Sequence, residues 1–189
     1  MATLTPLTSP VPRPGARPGA VDRAWLGVAA ACSLVAAVTH LWVVPEHLEE
    51  WWPAALFFVV LAVAQLALSG LLLLRPTTAL LGSAVVGTLG LVAFYVLTRT
   101  VDLPLLPNHG AHAASDLPVA WGVGNGVPVY PGAGLEEVGR PDLLCLAAEL
   151  VMVTALVAVL PPRARRWTTD LAMLLGGALL ALRASGVLA

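Results

Sequence analysis

Residues 24–44 read AWLGVAAACSLVAAVTHLWVV, an apolar run that contains no Asp, Glu, Lys or Arg. At ~1.5 Å per residue, a helix of this length matches a hydrocarbon core ~30 Å thick. The interior of a bilayer has no water to satisfy backbone N–H and C=O groups, so the run must bond within itself as a helix. Four more apolar runs follow, at 53–74 (PAALFFVVLAVAQLALSGLLLL), 77–98 (TTALLGSAVVGTLGLVAFYVLT), 143–160 (LLCLAAELVMVTALVAVL) and 168–187 (TTDLAMLLGGALLALRASGV). The expected fold is an all-α membrane protein, a bundle of five transmembrane helices within residues 23–189.

Composition supports the same class. Of 189 residues, 58% are hydrophobic and only 11% are charged, with a mean hydropathy of +0.86. Soluble domains carry about 25% charged residues. A chain this poor in charge cannot coat a globular surface, so its partner is the lipid bilayer. A formal net charge of −1 argues against nucleic acid. Cys32 and Cys145 fall in runs that place them at different membrane depths, so no disulfide is expected. Both read as small buried apolar residues.

Proline and tryptophan mark the ends of the runs. Pro45 is expected to close the first span, Pro53 fits the first turn of the second, and Pro161–Pro162 end the fourth. Trp25, Trp42, Trp51, Trp52 and Trp167 fall at predicted interfaces, where aromatic belts form. Residues 1–22 hold five prolines and read as a disordered cytoplasmic tail. The run at 24–44 is too long for the core of a signal peptide, and no A-x-A site closes it. With the N-terminus inside, Arg13, Arg17, Arg23, Arg75, Arg163, Arg165 and Arg166 are cytoplasmic, against Arg99 and Arg140 outside. That bias sets the N-terminus inside and the C-terminus outside. The location is then a bacterial plasma membrane, crossed several times, with residues 99–142 as a long outer loop.

Several polar residues are out of place in lipid. A carboxylate at the centre of a membrane helix costs about 2.5–3.5 kcal/mol on insertion scales, so it is paired or functional. Glu149 lies two turns below the outer end of the fourth run and Arg183 one turn below that of the fifth. Tyr95 and Arg99 sit one turn apart at the outer end of the third, and His40 at similar depth on the first. On the fourth run Asp142, Cys145, Glu149 and Met152 recur on one helical face, which should look into the bundle. Two readings stay open. One is a site for a metal, haem, quinone or proton opening outward. The other is a structural bridge from Glu149 to Arg99 or Arg183. Gln65, alone near the middle of the second run, reads as interhelical hydrogen-bond glue, and Gly82, Gly87, Gly90, Gly176 and Gly177 as close-packing positions.

All four histidines fall on the expected outer side. His40 near the outer end of the first run and His47 and Glu50 in the first connection, with the His109/His112 pair of the long loop, are candidate ligands for a divalent metal or for haem. HLEE at 47–50 lacks the second histidine of a zinc-protease helix, and GVGNG at 122–126 lacks the Lys of a phosphate loop. No Ser-His-Asp set is present, and no residue takes a catalytic role.

Three segments, HLWVVPEHLEEWWPAALFFVVLAVAQ (40–65), LVAFYVLTRTVDLPLLP (91–107) and LEEVGRPDLLCLAAEL (135–150), together resemble a family of small multispanning membrane proteins of high-GC bacteria. The resemblance covers about half the chain. It rests on His40, His47, Glu50, Gln65, Arg99, Glu137, Asp142 and Glu149. It carries no activity, but it implies that these polar residues act together.

The expectation is a non-enzymatic integral membrane protein with an outward-facing polar site of His40, His47, Glu50, Tyr95, Arg99, Asp142, Glu149 and Arg183, binding a metal or a small redox group. The alternatives are a small transporter using Glu149 with an Arg, and a structural subunit that packs against a membrane partner or a second copy of itself. The topology is testable apart from function. A reporter active only outside the cell should work when fused within 99–142 and be silent when fused after Arg166. The reverse pattern would invert the orientation.

Overall fold

The computed structural model describes residues 19–98 and 138–184, with backbone alone at Glu50 and at 182–184. These residues form five helices: α1 (Ala20–Glu50), α2 (Trp52–Leu74), α3 (Thr78–Thr98), α4 (Arg140–Val159) and α5 (Pro162–Ala184). No strand occurs among the described residues. Four helices, α1 to α4, are long and apolar enough to cross a membrane, where the sequence reading expects five. α5 differs because Arg163, Arg165 and Arg166 fill its first turns, while Asp170 and Arg183 bracket the apolar stretch between them. Residues 1–18 of the tail and 99–137 of the long loop, with Arg99, His109 and His112, lie outside the described residues.

Four boundaries differ from expectation, one of them the start of α5 at Pro162 rather than at 168. Ala20–Asp22, assigned to the tail, form the first turn of α1, where the Gly19 N–H donates to Asp22 Oδ2 at 3.0 Å. Pro45 does not close α1; the helix runs through it to Glu50. Proline removes one helical hydrogen bond, but the turns that follow are still bonded. The His47 carbonyl accepts from the Trp51 N–H at 2.7 Å, and membrane helices tolerate such a proline where local groups compensate. α4 begins at Arg140 rather than 143, so Asp142 belongs to a helix and not to the loop. The 31 residues of α1 extend roughly 46 Å, more than a ~30 Å core, so part of the helix stands in the headgroup zone.

α1 is the centre of the bundle and packs along α2 and α4. Leu26, Ala30, Ser33 and Ala37 form its buried seam, spaced alternately four and three residues apart, and His40 falls at the next position. Small residues on this seam let backbones approach closely. Two serines fasten α1 to α2. Ser33 Oγ donates to the Gln65 carbonyl at 2.7 Å, and Ser69 Oγ donates to the Ala30 carbonyl at 2.9 Å. A dry core of Leu26, Ala30, Leu72, Val85, Met152 and Leu156 fills the end near the start of α1. The opposite end, where α1 and α3 finish and α2 and α4 start, holds the polar residues.

The glycines contradict the close-packing expectation. A Cβ built on Gly82, Gly87, Gly90, Gly176 or Gly177 meets nothing within 4 Å. α3 and α5 touch their neighbours too sparsely for these positions to be approached. Gly87→Ala should therefore be neutral or raise the melting temperature in detergent, because alanine is better than glycine in a helix by up to about 1 kcal/mol. A drop of several degrees would reveal a contact absent from this fold.

Candidate functional site

His40 on α1, Cys145 and Glu149 on α4, and Gln65 on α2 meet in the polar half of the bundle. The His40 Nε2 lies 3.6 Å from Cys145 Sγ and 3.8 Å from Glu149 Oε1. One ligand atom from each of His40, Cys145 and Glu149 falls within 4.8 Å of the other two. The spacing follows from local structure. Cys145 and Glu149 are one turn apart on the face of α4 that also buries Met152, and His40 continues the buried seam of α1. The side chains of His40 and Glu149 are only 11% and 6% exposed.

The Glu149 carboxylate is held from the far side by Gln65, whose Nε2 donates to Oε1 at 3.0 Å. The backbones of α2 and α4 do not approach each other, so two long side chains bridge the gap. The Gln65 Oε1 is buried and has no hydrogen-bond partner among the described residues. Since the Gln65 backbone carbonyl also receives Ser33, its position is fixed by α1, and the amide is aimed rather than free to wander.

In front of the cluster is a cavity of about 340 Å³, walled by α1 to α4 and lined by His40, Cys145 and Glu149 together with Tyr95, Phe57 and Phe58 among others. Phe58 stands between two histidines, 5.5 Å from the His40 ring and 4.5 Å from the His47 ring by centroid. This stack exists because α1 continues through Pro45: His47 is two turns beyond His40 on the same face.

The described residues among those singled out in the sequence each have a definite place. His40 and Glu149 are in the cluster. Tyr95 and His47 line the cavity, with the His47 Nδ1 donating to the Val43 carbonyl at 2.8 Å. Asp142 also lines the cavity, but its Oδ2 accepts from the Gly139 N–H at 2.7 Å, a helix-starting contact that the positive end of α4 favours. Gln65 makes the interhelical hydrogen bond expected of it, as donor to Glu149. The side chains of Glu50 and Arg183 lie outside the described residues, as do Arg99, Glu137, His109 and His112. Cys145 was missed as a site residue: it is a free thiol, but it faces two polar groups rather than an apolar core. Its one-turn spacing from Glu149 was the available signal.

Removing the Gln65 amide should leave a buried carboxylate oxygen short of a donor, at a cost of roughly 1–3 kcal/mol. Gln65→Leu is therefore expected to melt well below the wild type. Gln65→Leu combined with Glu149→Leu should recover most of the loss, because no polar atom is then left unpaired. Additive losses in a double-mutant cycle would show that the two residues are not coupled.

Comparison with protein-family models, with curated proteins and with solved structures finds no match.

Proposed function

We propose that this chain is a non-enzymatic protein of the bacterial plasma membrane, with five spans and its N-terminus inside, that holds one divalent transition-metal ion at His40, Cys145 and Glu149. The observation that carries this reading is the convergence of an imidazole, a thiol and a carboxylate within 4.8 Å. For bonds of about 2.0–2.3 Å in tetrahedral geometry, neighbouring donors sit roughly 3.3–3.6 Å apart. The His40–Cys145 and His40–Glu149 separations of 3.6 and 3.8 Å are close to that.

Charge favours a divalent ion. Thiolate, carboxylate and neutral imidazole around a 2+ ion give an electroneutral site, the form that survives in a low-dielectric interior. Thiolate and imidazole suit zinc, copper and iron better than magnesium or calcium. A bare ion fits better than haem, because haem iron offers protein ligands its axial positions alone, whereas three donors converge here. Gln65 on Glu149 supplies the outer hydrogen bond that orients a ligating carboxylate, and the cavity leaves the remaining position open.

Protein purified in detergent and loaded with Co(II) should retain about one ion per chain and show the thiolate charge-transfer absorption of a tetrahedral site. Cys145→Ser should abolish that absorption, and His40→Ala should lower the ion content. Wild type and variants with the same residual metal would overturn the reading.

A further inference from the structure

The cavity in front of the cluster has walls of a different character from its floor. Phe57, Phe58 and Phe94 line it together with Trp51, Leu61 and Leu91, while His40, Cys145 and Glu149 form a polar cluster and His47, Tyr95 and Asp142 add polar groups elsewhere on the wall. Its volume, about 340 Å³, falls at the small end of ligand pockets, which run from about 300 to 1,000 Å³ and combine apolar walls with a few convergent polar groups. A metal ion would occupy a small fraction of that space.

The way out of the cavity is also informative. α2 and α3 are consecutive, yet their backbones hardly touch. At the polar end a pair of rings, Phe57 and Phe94, meets across them, with centroids 5.7 Å apart at 61°. Both rings are exposed, at 39% and 43%, and both helices are of membrane-spanning length and apolarity. In a bilayer, these two exposed rings and the sparse backbone contact between α2 and α3 would offer a route from the hydrocarbon phase to the cavity. Aromatic rings left with open faces and edges favour offset or edge-on packing with another ring.

We propose that this cavity binds one lipid-soluble molecule with a flat ring that carries an oxygen, of the quinone or phenol class, which enters from the bilayer between α2 and α3. The ring lies among Phe57, Phe58 and Phe94, and its oxygen points to the His40–Cys145–Glu149 end. The proposal shares that end with the metal reading, but the aromatic walls alone suffice to hold the ring.

The test uses the full chain in lipid nanodiscs titrated with 2,3-dimethyl-1,4-naphthoquinone, whose methyl groups block addition by the Cys145 thiol. Trp51 lines the cavity, so binding is read as quenching of tryptophan fluorescence, with metal content measured on the same samples. Saturable quenching is expected in the wild type. Ala54→Phe, which fills the cavity, should weaken binding at least about tenfold, which is 1.4 kcal/mol. Leu66→Phe, on the exposed side of α2, should bind like the wild type. His40→Ala should bind several-fold more weakly but still saturably. A straight-chain alcohol of similar volume should not displace the ring at equal concentration.

Quenching that rises linearly and equally in wild type and Ala54→Phe would mean partition into lipid alone and would overturn the proposal. Equal competition by the alcohol would overturn the ring class. Saturable binding in metal-free protein would leave this inference standing while the metal reading fell; a loaded metal site without ring binding would do the opposite. A melting curve for Ala54→Phe that matches the wild type establishes that lost binding reflects a filled cavity. If that variant melts early, Leu61→Phe serves in its place.

Discussion

A carboxylate buried between membrane helices constrains everything near it. Glu149 sits where lipid would surround a misplaced side chain, so its oxygens must find donors inside the bundle. Oε1 accepts from the Gln65 amide at 3.0 Å and has the His40 imidazole at ion-pair distance, 3.8 Å. Those contacts tie α4 to α2 and to α1, although α2 and α4 have no backbone approach of their own. The bundle therefore has two modes of cohesion. One end is held by alanine-lined close packing and a dry core, the other by polar side chains that reach across a space.

That division explains where a site can form. Close packing leaves no room, and Ala30, Ala37 and the two serine hydroxyls keep α1 and α2 together over the apolar half. Farther along, larger side chains face inward and the helices enclose a cavity. Pro45 matters here through what it fails to do. Because α1 continues to Glu50, His47 is delivered to Phe58 two turns beyond His40, and the aromatic wall is extended to the end of the bundle. Had the helix stopped at Val44, that wall would have lost its outer half.

The chemistry of the cluster follows from its mixed donors. A thiol in a membrane helix packs as a small apolar group, but an imidazole and a carboxylate there are rare. Their arrival at one point, beside an oriented amide and an accessible cavity, separates this cluster from a simple ion pair. A structural bridge to arginine would give Glu149 a cation and need no thiol. Among the described residues the partners of Glu149 are an amide and an imidazole, with Cys145 one turn away; Arg99 and the Arg183 side chain lie outside the described residues.

Length, hydropathy and the absence of charge in three of the runs determined that the long apolar segments are helices, because in a bilayer such a segment bonds within itself. The periodicity of α4 also determined that Cys145, Glu149 and Met152 share an inward face, since helical geometry is local. Helix ends were less legible: a proline and a run of polar residues at 45–50 read as a turn, and only the bonded turns after Pro45 show a continued helix. Tertiary structure alone decided the rest. It assigned Gln65 to Glu149, brought Cys145 to His40, and turned the glycines of α3 and α5 toward open space. These are distances between residues as far as 105 positions apart in the chain, set by which helices pack together and at what rotation, and no local pattern encodes them.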